Sequence, residues 1–69
     1  MTPEAFKSVQ SGIPHHPGIY QYWDAEGKLL YVGKAVDLRK RVSSYFRSNY
    51  ESPRIRLLVR KIDRIEVTV

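Results

Sequence analysis

The stretch GIYQYWDAEGKLLYV, residues 18–32, constrains this chain more than any other. Two short runs rich in aromatic and branched residues flank DAEG. The reading is a β-hairpin, with one strand near Gly18–Trp23 and the other near Lys28–Val32. Gly27 suits the turn because it can take the positive φ that a type I turn with a bulge requires. Glycine and tyrosine are paired twice, Gly18 with Tyr20 and Tyr31 with Gly33, and a run of cations begins at Lys34. Packing accounts for aromatic residues in a hairpin. It does not account for the cations.

The rest of the chain must cover this hairpin. Thr2, Pro3 and Glu4 supply a cap, a first-turn proline and a first-turn acid for a helix running to about Val9. SGIPHHPG is a loop punctuated by Gly12, Pro14, Pro17 and Gly18. Asp37 is a good N-cap for LRKRVSSYFR, in which Leu38, Val42, Tyr45 and Phe46 form one helical stripe. Ser52-Pro53 opens another helix, where Ile55, Leu58, Val59 and Ile62 repeat that spacing. RIEVTV alternates as a strand, with Ile65, Val67 and Val69 on one face. The order helix, hairpin, two helices, strand predicts an α+β fold in which helices cover a small sheet, as one domain over residues 1–69. The last strand has no turn or cap after it, so the chain is expected to be a piece of a longer protein.

A chain of this length buries only about 60% of its unfolded surface. It has no cysteine, which excludes disulfides and thiolate zinc as added support and fits a reducing cytoplasm. The N-terminus lacks the apolar stretch of a signal peptide, and LLYV, the longest apolar run of the hairpin, is far below a membrane span. A soluble, cytoplasmic domain with no membrane partner is expected. Residues 1–33 carry two lysines against three acids, net −1, whereas residues 34–69 carry ten cations against four acids, net +6. That asymmetry points to a polyanion, chiefly nucleic acid, or else to a solvated basic face.

Arg41 sits beside the apolar stripe, one turn before Tyr45, so the two share an edge. Either they reach a ligand together, or Arg41 lays its stem over the core and Tyr45 buries its ring. Lys34 follows Gly33 at the end of the second strand, where a glycine admits close approach of a ligand; a solvated loop lysine is the alternative. His15 and His16, between prolines, read as loop residues rather than metal ligands, and Trp23 as hairpin packing. No Ser-His-Asp set, phosphate-binding glycine loop or carboxylate pair is present. From the residues alone, this is a small basic α+β domain with a tyrosine-rich hairpin.

PGIY, then ten residues, then YVGKAVDLRKRVSSYF resembles the GIY-YIG endonuclease family, and within it the UvrC-type branch of bacterial nucleotide excision repair. Valine stands at position 32, where the family name has isoleucine. The likeness runs from about Pro14 to Val69. It implies a three-stranded antiparallel sheet flanked by helices, with Tyr20, Tyr31, Lys34, Arg41 and Tyr45 at active-site positions. It also implies a single divalent metal, magnesium or manganese, and incision on the 3′ side of a lesion. Damaged double-stranded DNA and UvrB are the implied partners, with UvrA acting upstream. Arg39, Lys40, Arg47, Arg54 and Arg56 would contact phosphates, which makes binding salt-dependent and indifferent to base sequence.

Within that resemblance, Tyr31 is the expected general base, assisted by Lys34, with Tyr20 second. A phenol titrates near about 10, and close cations are expected to lower it by roughly 1–3 units. Arg41 would stabilise charge on the phosphoryl group, and Tyr45 would hold that network. The family's metal-binding glutamate lies on a helix after the third strand and has no counterpart here; Glu66, on the strand itself, does not replace it. The 69 residues alone are therefore expected to bind metal poorly and to cut little. The alternative is a basic DNA-binding or docking module that keeps the scaffold without the chemistry.

Overall fold

The computed structural model describes residues 1–47 and 52–69. Strand β1, Gly18–Trp23, pairs antiparallel with β2, Leu29–Ala35. The turn between them is held by Asp24, whose Oδ1 accepts from Glu26 N at 2.9 Å and Lys28 N at 2.8 Å. Gly27 takes φ +81° there, as expected, a conformation that costs a side-chain-bearing residue about 1–2 kcal/mol. Tyr22 faces Tyr31, but the next pair is Trp23 with Leu29, so Leu30 is an extra residue and the strand bulges. β2 also runs three residues beyond the expected Val32, because Ile19 and Gly18 continue the ladder with Lys34 and Ala35. Gly33 and Lys34 thus lie within the strand rather than after it.

Strand β3, Arg64–Thr68, pairs antiparallel with the other edge of β1, giving the order β2-β1-β3. Side chains directly opposite one another share a face. Tyr20, Tyr22, Tyr31, Gly33, Ile65 and Val67 therefore lie on one face, and Ile19, Gln21, Val32, Lys34, Glu66 and Thr68 on the other.

Three helices complete the fold: α1 Pro3–Gln10, α2 Leu38–Tyr45 and α3 Pro53–Lys61. Each begins where its cap was expected. Thr2 accepts from Ala5 N at 3.1 Å, Asp37 from Lys40 N at 2.9 Å and Ser52 from Arg54 N at 3.2 Å. Leu38, Val42, Tyr45 and Phe46 are all buried in one core with Tyr20 and Tyr22. Phe6 of α1 stacks on Phe46 at 4.2 Å between centroids. The Met1 ammonium donates to Val59 O at 2.9 Å and Ile62 O at 2.6 Å, joining the start of α1 to the negative end of the α3 dipole. Because α3 docks by this C-terminal end, through Val59 and Ile62, Ile55 is 38% exposed at the rim rather than buried as its spacing implied. Among the described residues no helix is long and apolar enough to cross a membrane.

Candidate active site

Gly18 and Gly33 both sit where a side chain would collide. Tyr20 lies across β2 directly above Gly33, and a Cβ at position 33 would overlap its ring and hydroxyl. A Cβ at position 18 would likewise meet Thr68 O and the Leu38 side chain. Gly33 leaves room for the Tyr20 ring over β2, and Gly18 for the close approach of β3 and Leu38.

Four phenols gather in this space. Tyr20 and Tyr22 come from β1, Tyr31 from β2 and Tyr45 from the last turn of α2. Every pair of their rings has centroids 5.1 to 6.5 Å apart. The Tyr20 and Tyr45 hydroxyls share a hydrogen bond at 2.9 Å. Arg41, one turn before Tyr45, places its guanidinium carbon 5.2 Å from the Tyr45 ring centroid. Tyr20 is 1% exposed and Tyr22 fully buried, whereas Tyr31 is 42% exposed. The cluster therefore presents one phenol and one guanidinium to solvent, over buried phenols.

Electrostatics separates their roles. Burial, then hydrogen bonding with Tyr20, pushes the Tyr45 phenol well above its ordinary value, and Arg41 only partly opposes this. At Tyr45, desolvation outweighs the guanidinium. Burial raises Tyr22 further still. Hydrogen bonding with Tyr20, then the field of Tyr45, raises Arg41. At neutral pH the two raised phenols are neutral and the arginine is charged.

Not every expected residue joins. Lys34 pairs with Ile19, so it leaves the sheet on the face opposite Tyr20 and Tyr31. The two-residue period that puts 31 and 33 on the helix side sends 34 to the other. Arg39 is also elsewhere: its guanidinium donates to Ile13 O at 2.6 Å and Ser11 O at 3.1 Å, tying α2 to the loop before β1. Lys40 and Arg47 do line a groove with Arg41 and Ser44 along the exposed side of α2. Arg54 is exposed on α3, and Arg56 lies beside Met1–Pro3 rather than in that groove. Tyr22 was missed, although its place two residues after Tyr20 on a strand signals the same face.

The acids point away from metal binding. Glu66 pairs with Gln21 on the face opposite the phenols and holds Arg64 at 3.3 Å. Asp37 caps α2 and accepts from His15 at 3.0 Å. Among the described residues, the groups acting on the buried phenols are other phenols and Arg41, with no carboxylate. Among the described residues no three of His, Asp and Glu come together as a metal site. These residues do not by themselves fit a divalent cation.

Residues 16–69 match the family model of the UvrC-like GIY-YIG domain. The chain is 46% identical over all 69 residues to UvrABC system protein C of Porphyromonas gingivalis, covering 12% of it. It is 53% identical over 57 residues, 83% of the chain, to UvrABC system protein C of Neisseria meningitidis, covering 9% of that protein. The chain thus spans about a tenth of the length of these relatives. The GIY-YIG N-terminal endonuclease domain of UvrC from Thermotoga maritima, bound to its catalytic divalent cation, magnesium, superposes with TM-score 0.79 at 27% identity, covering 96% of this chain and 71% of that one. A point mutant of that domain, also bound to its catalytic divalent cation, gives TM-score 0.80 at 26% identity over 100% of this chain and 72% of that one. The three-stranded antiparallel sheet with three helices is the arrangement these structures share.

Proposed function

The chain belongs to the UvrC-like GIY-YIG domain family, a family of endonucleases, and from that premise we propose that residues 1–69 form part of one nuclease domain that hydrolyses a DNA phosphodiester. The convergence of Tyr20, Tyr31, Tyr45 and Arg41 on one face of the sheet carries this reading. Such hydrolysis needs an activated water and relief of charge on the phosphoryl oxygens. Tyr31 is the phenol that water can reach, so we assign it the general base, with Tyr20 behind it. Arg41, charged and exposed, faces the phosphoryl group. Tyr45, neutral and hydrogen-bonded to Tyr20, holds Arg41 through its ring. Lys34 has no part in the proton transfer.

In the whole protein this chemistry makes the 3′ incision in nucleotide excision repair, on damaged double-stranded DNA presented by UvrB after UvrA has acted, in the cytoplasm. The complete domain takes one divalent cation, magnesium or manganese, as its Thermotoga relative takes magnesium. Full-length protein carrying Tyr31→Phe is expected to lose about 10²–10⁴-fold in single-turnover nicking of a damaged duplex. A rate within a few-fold of wild type removes Tyr31 from the role.

A second reading has one observation behind it. Among the described residues the groove along α2 is lined by Lys40, Arg41 and Arg47. The 69 residues alone then serve as a basic DNA-docking module. On either reading, the isolated chain is expected to show no calorimetric magnesium binding at millimolar concentration and negligible nicking. Robust magnesium-dependent nicking by the isolated chain contradicts this.

A further inference from the structure

The cluster leaves Lys34 and its neighbour Val36 unused. Two open grooves flank the connection from β2 into α2. One, about 420 Å³, is lined by Val36, Lys40, Arg41, Ser44 and Arg47. The other, about 450 Å³, is lined by Pro17, Gly18, Ile19 and Lys34. They have only Ala35 and Val36 in common. Val36 is 88% exposed, an apolar side chain standing between cations on both sides. Among the described residues the only acid in either lining is Asp37, whose carboxylate is already occupied by Lys40 N and His15.

We propose that Ala35–Val36 is a ridge over which one DNA strand is laid, with phosphates held on both sides. This rests on the nuclease reading and adds to it a second phosphate site. The Arg41 groove takes the reacting linkage, and Lys34 takes the phosphate of a neighbouring nucleotide across the ridge. Val36 meets the apolar face of the deoxyribose between them. Lys34 lines the second groove, so its flexible stem carries the ammonium to a phosphate on that side of the ridge. A phosphate strand alternates charged groups with apolar sugar edges, and a cation, an apolar knuckle and a cation groove present the complementary sequence. Lys34 is then a positioning residue. It sets the register of the strand against Tyr31 and Arg41, and carries no sequence preference.

The test is the affinity of the full-length chain for a short fluorescent random-sequence duplex, read by anisotropy over a salt series with chelator present. Wild type is compared with Lys34→Gln, Val36→Asp and Lys7→Gln, each of which lowers the net charge by one; Lys7 lies on α1. Lys34→Gln is expected to bind several-fold more weakly, with the slope of log affinity against log salt shallower by about 0.9, the value for one phosphate contact. Val36→Asp is expected to weaken binding at least as much, and Lys7→Gln to match wild type. If wild type binds but either ridge variant behaves as Lys7→Gln does, the ridge is overturned while the DNA reading stands. If wild type shows no affinity, the DNA reading is overturned and the ridge with it.

Discussion

Arg39 and Arg41 stand two positions apart on one helix and do different work. Arg39 spends its donors on the carbonyls of Ile13 and Ser11, while Arg41 lies over the Tyr45 ring with its charge toward solvent. The phenols divide in the same way. Tyr22 and Tyr45 are held neutral by burial, and Tyr31 is left at the surface. A phenol whose folded pKa is raised keeps its proton at a pH where the unfolded phenol, near about 10, has released it, so unfolding gains on folding as pH climbs past that value. Through the phenols, stability is therefore expected to fall above about pH 10, and Tyr45→Phe to fall less steeply. Urea midpoints measured from neutral to alkaline pH check this. An equal alkaline loss in Tyr45→Phe would contradict it.

At the scale of elements, the site depends on the close approach of β1 and β2. Gly33→Ala sets a methyl group into the Tyr20 ring, and overpacking of this kind costs about 1–3 kcal/mol. The expected result is a lower melting temperature together with loss of nicking in the full-length protein, because Tyr20 must tilt away from Tyr45. An unchanged melting temperature would show that the ring has room to move. What the sequence made legible here was local. Caps at Thr2, Asp37 and Ser52, the glycine turn and the α2 stripe are decided by neighbours a few residues away. The side of the sheet taken by Lys34 was not legible, because it depends on how far the β1–β2 ladder runs. Nor was the role of Arg39, whose acceptors lie 26 and 28 residues away in the chain. The exposure of Ile55 follows from how α3 docks, which its own spacing does not encode.

At the scale of the whole molecule, the helices close one face of a three-stranded sheet, and the proposed reactive groups, Tyr31 and Arg41, come from the edge strand β2 and from α2. The chain carries a +5 net charge, and among its cations Lys40, Arg41 and Arg47 line a groove along α2, with Lys34 in the second groove beyond Val36. The central claim is that Tyr31 and Arg41 converge on a single phosphate, with Tyr20 and Tyr45 beneath. A crystal structure of the complete domain with a duplex carrying a non-hydrolysable linkage tests it most directly. The account predicts a phosphate oxygen within hydrogen-bonding distance of the Arg41 guanidinium and the Tyr31 hydroxyl, on the helix-covered side of the sheet. A linkage seated on the opposite face, out of reach of both, would contradict it.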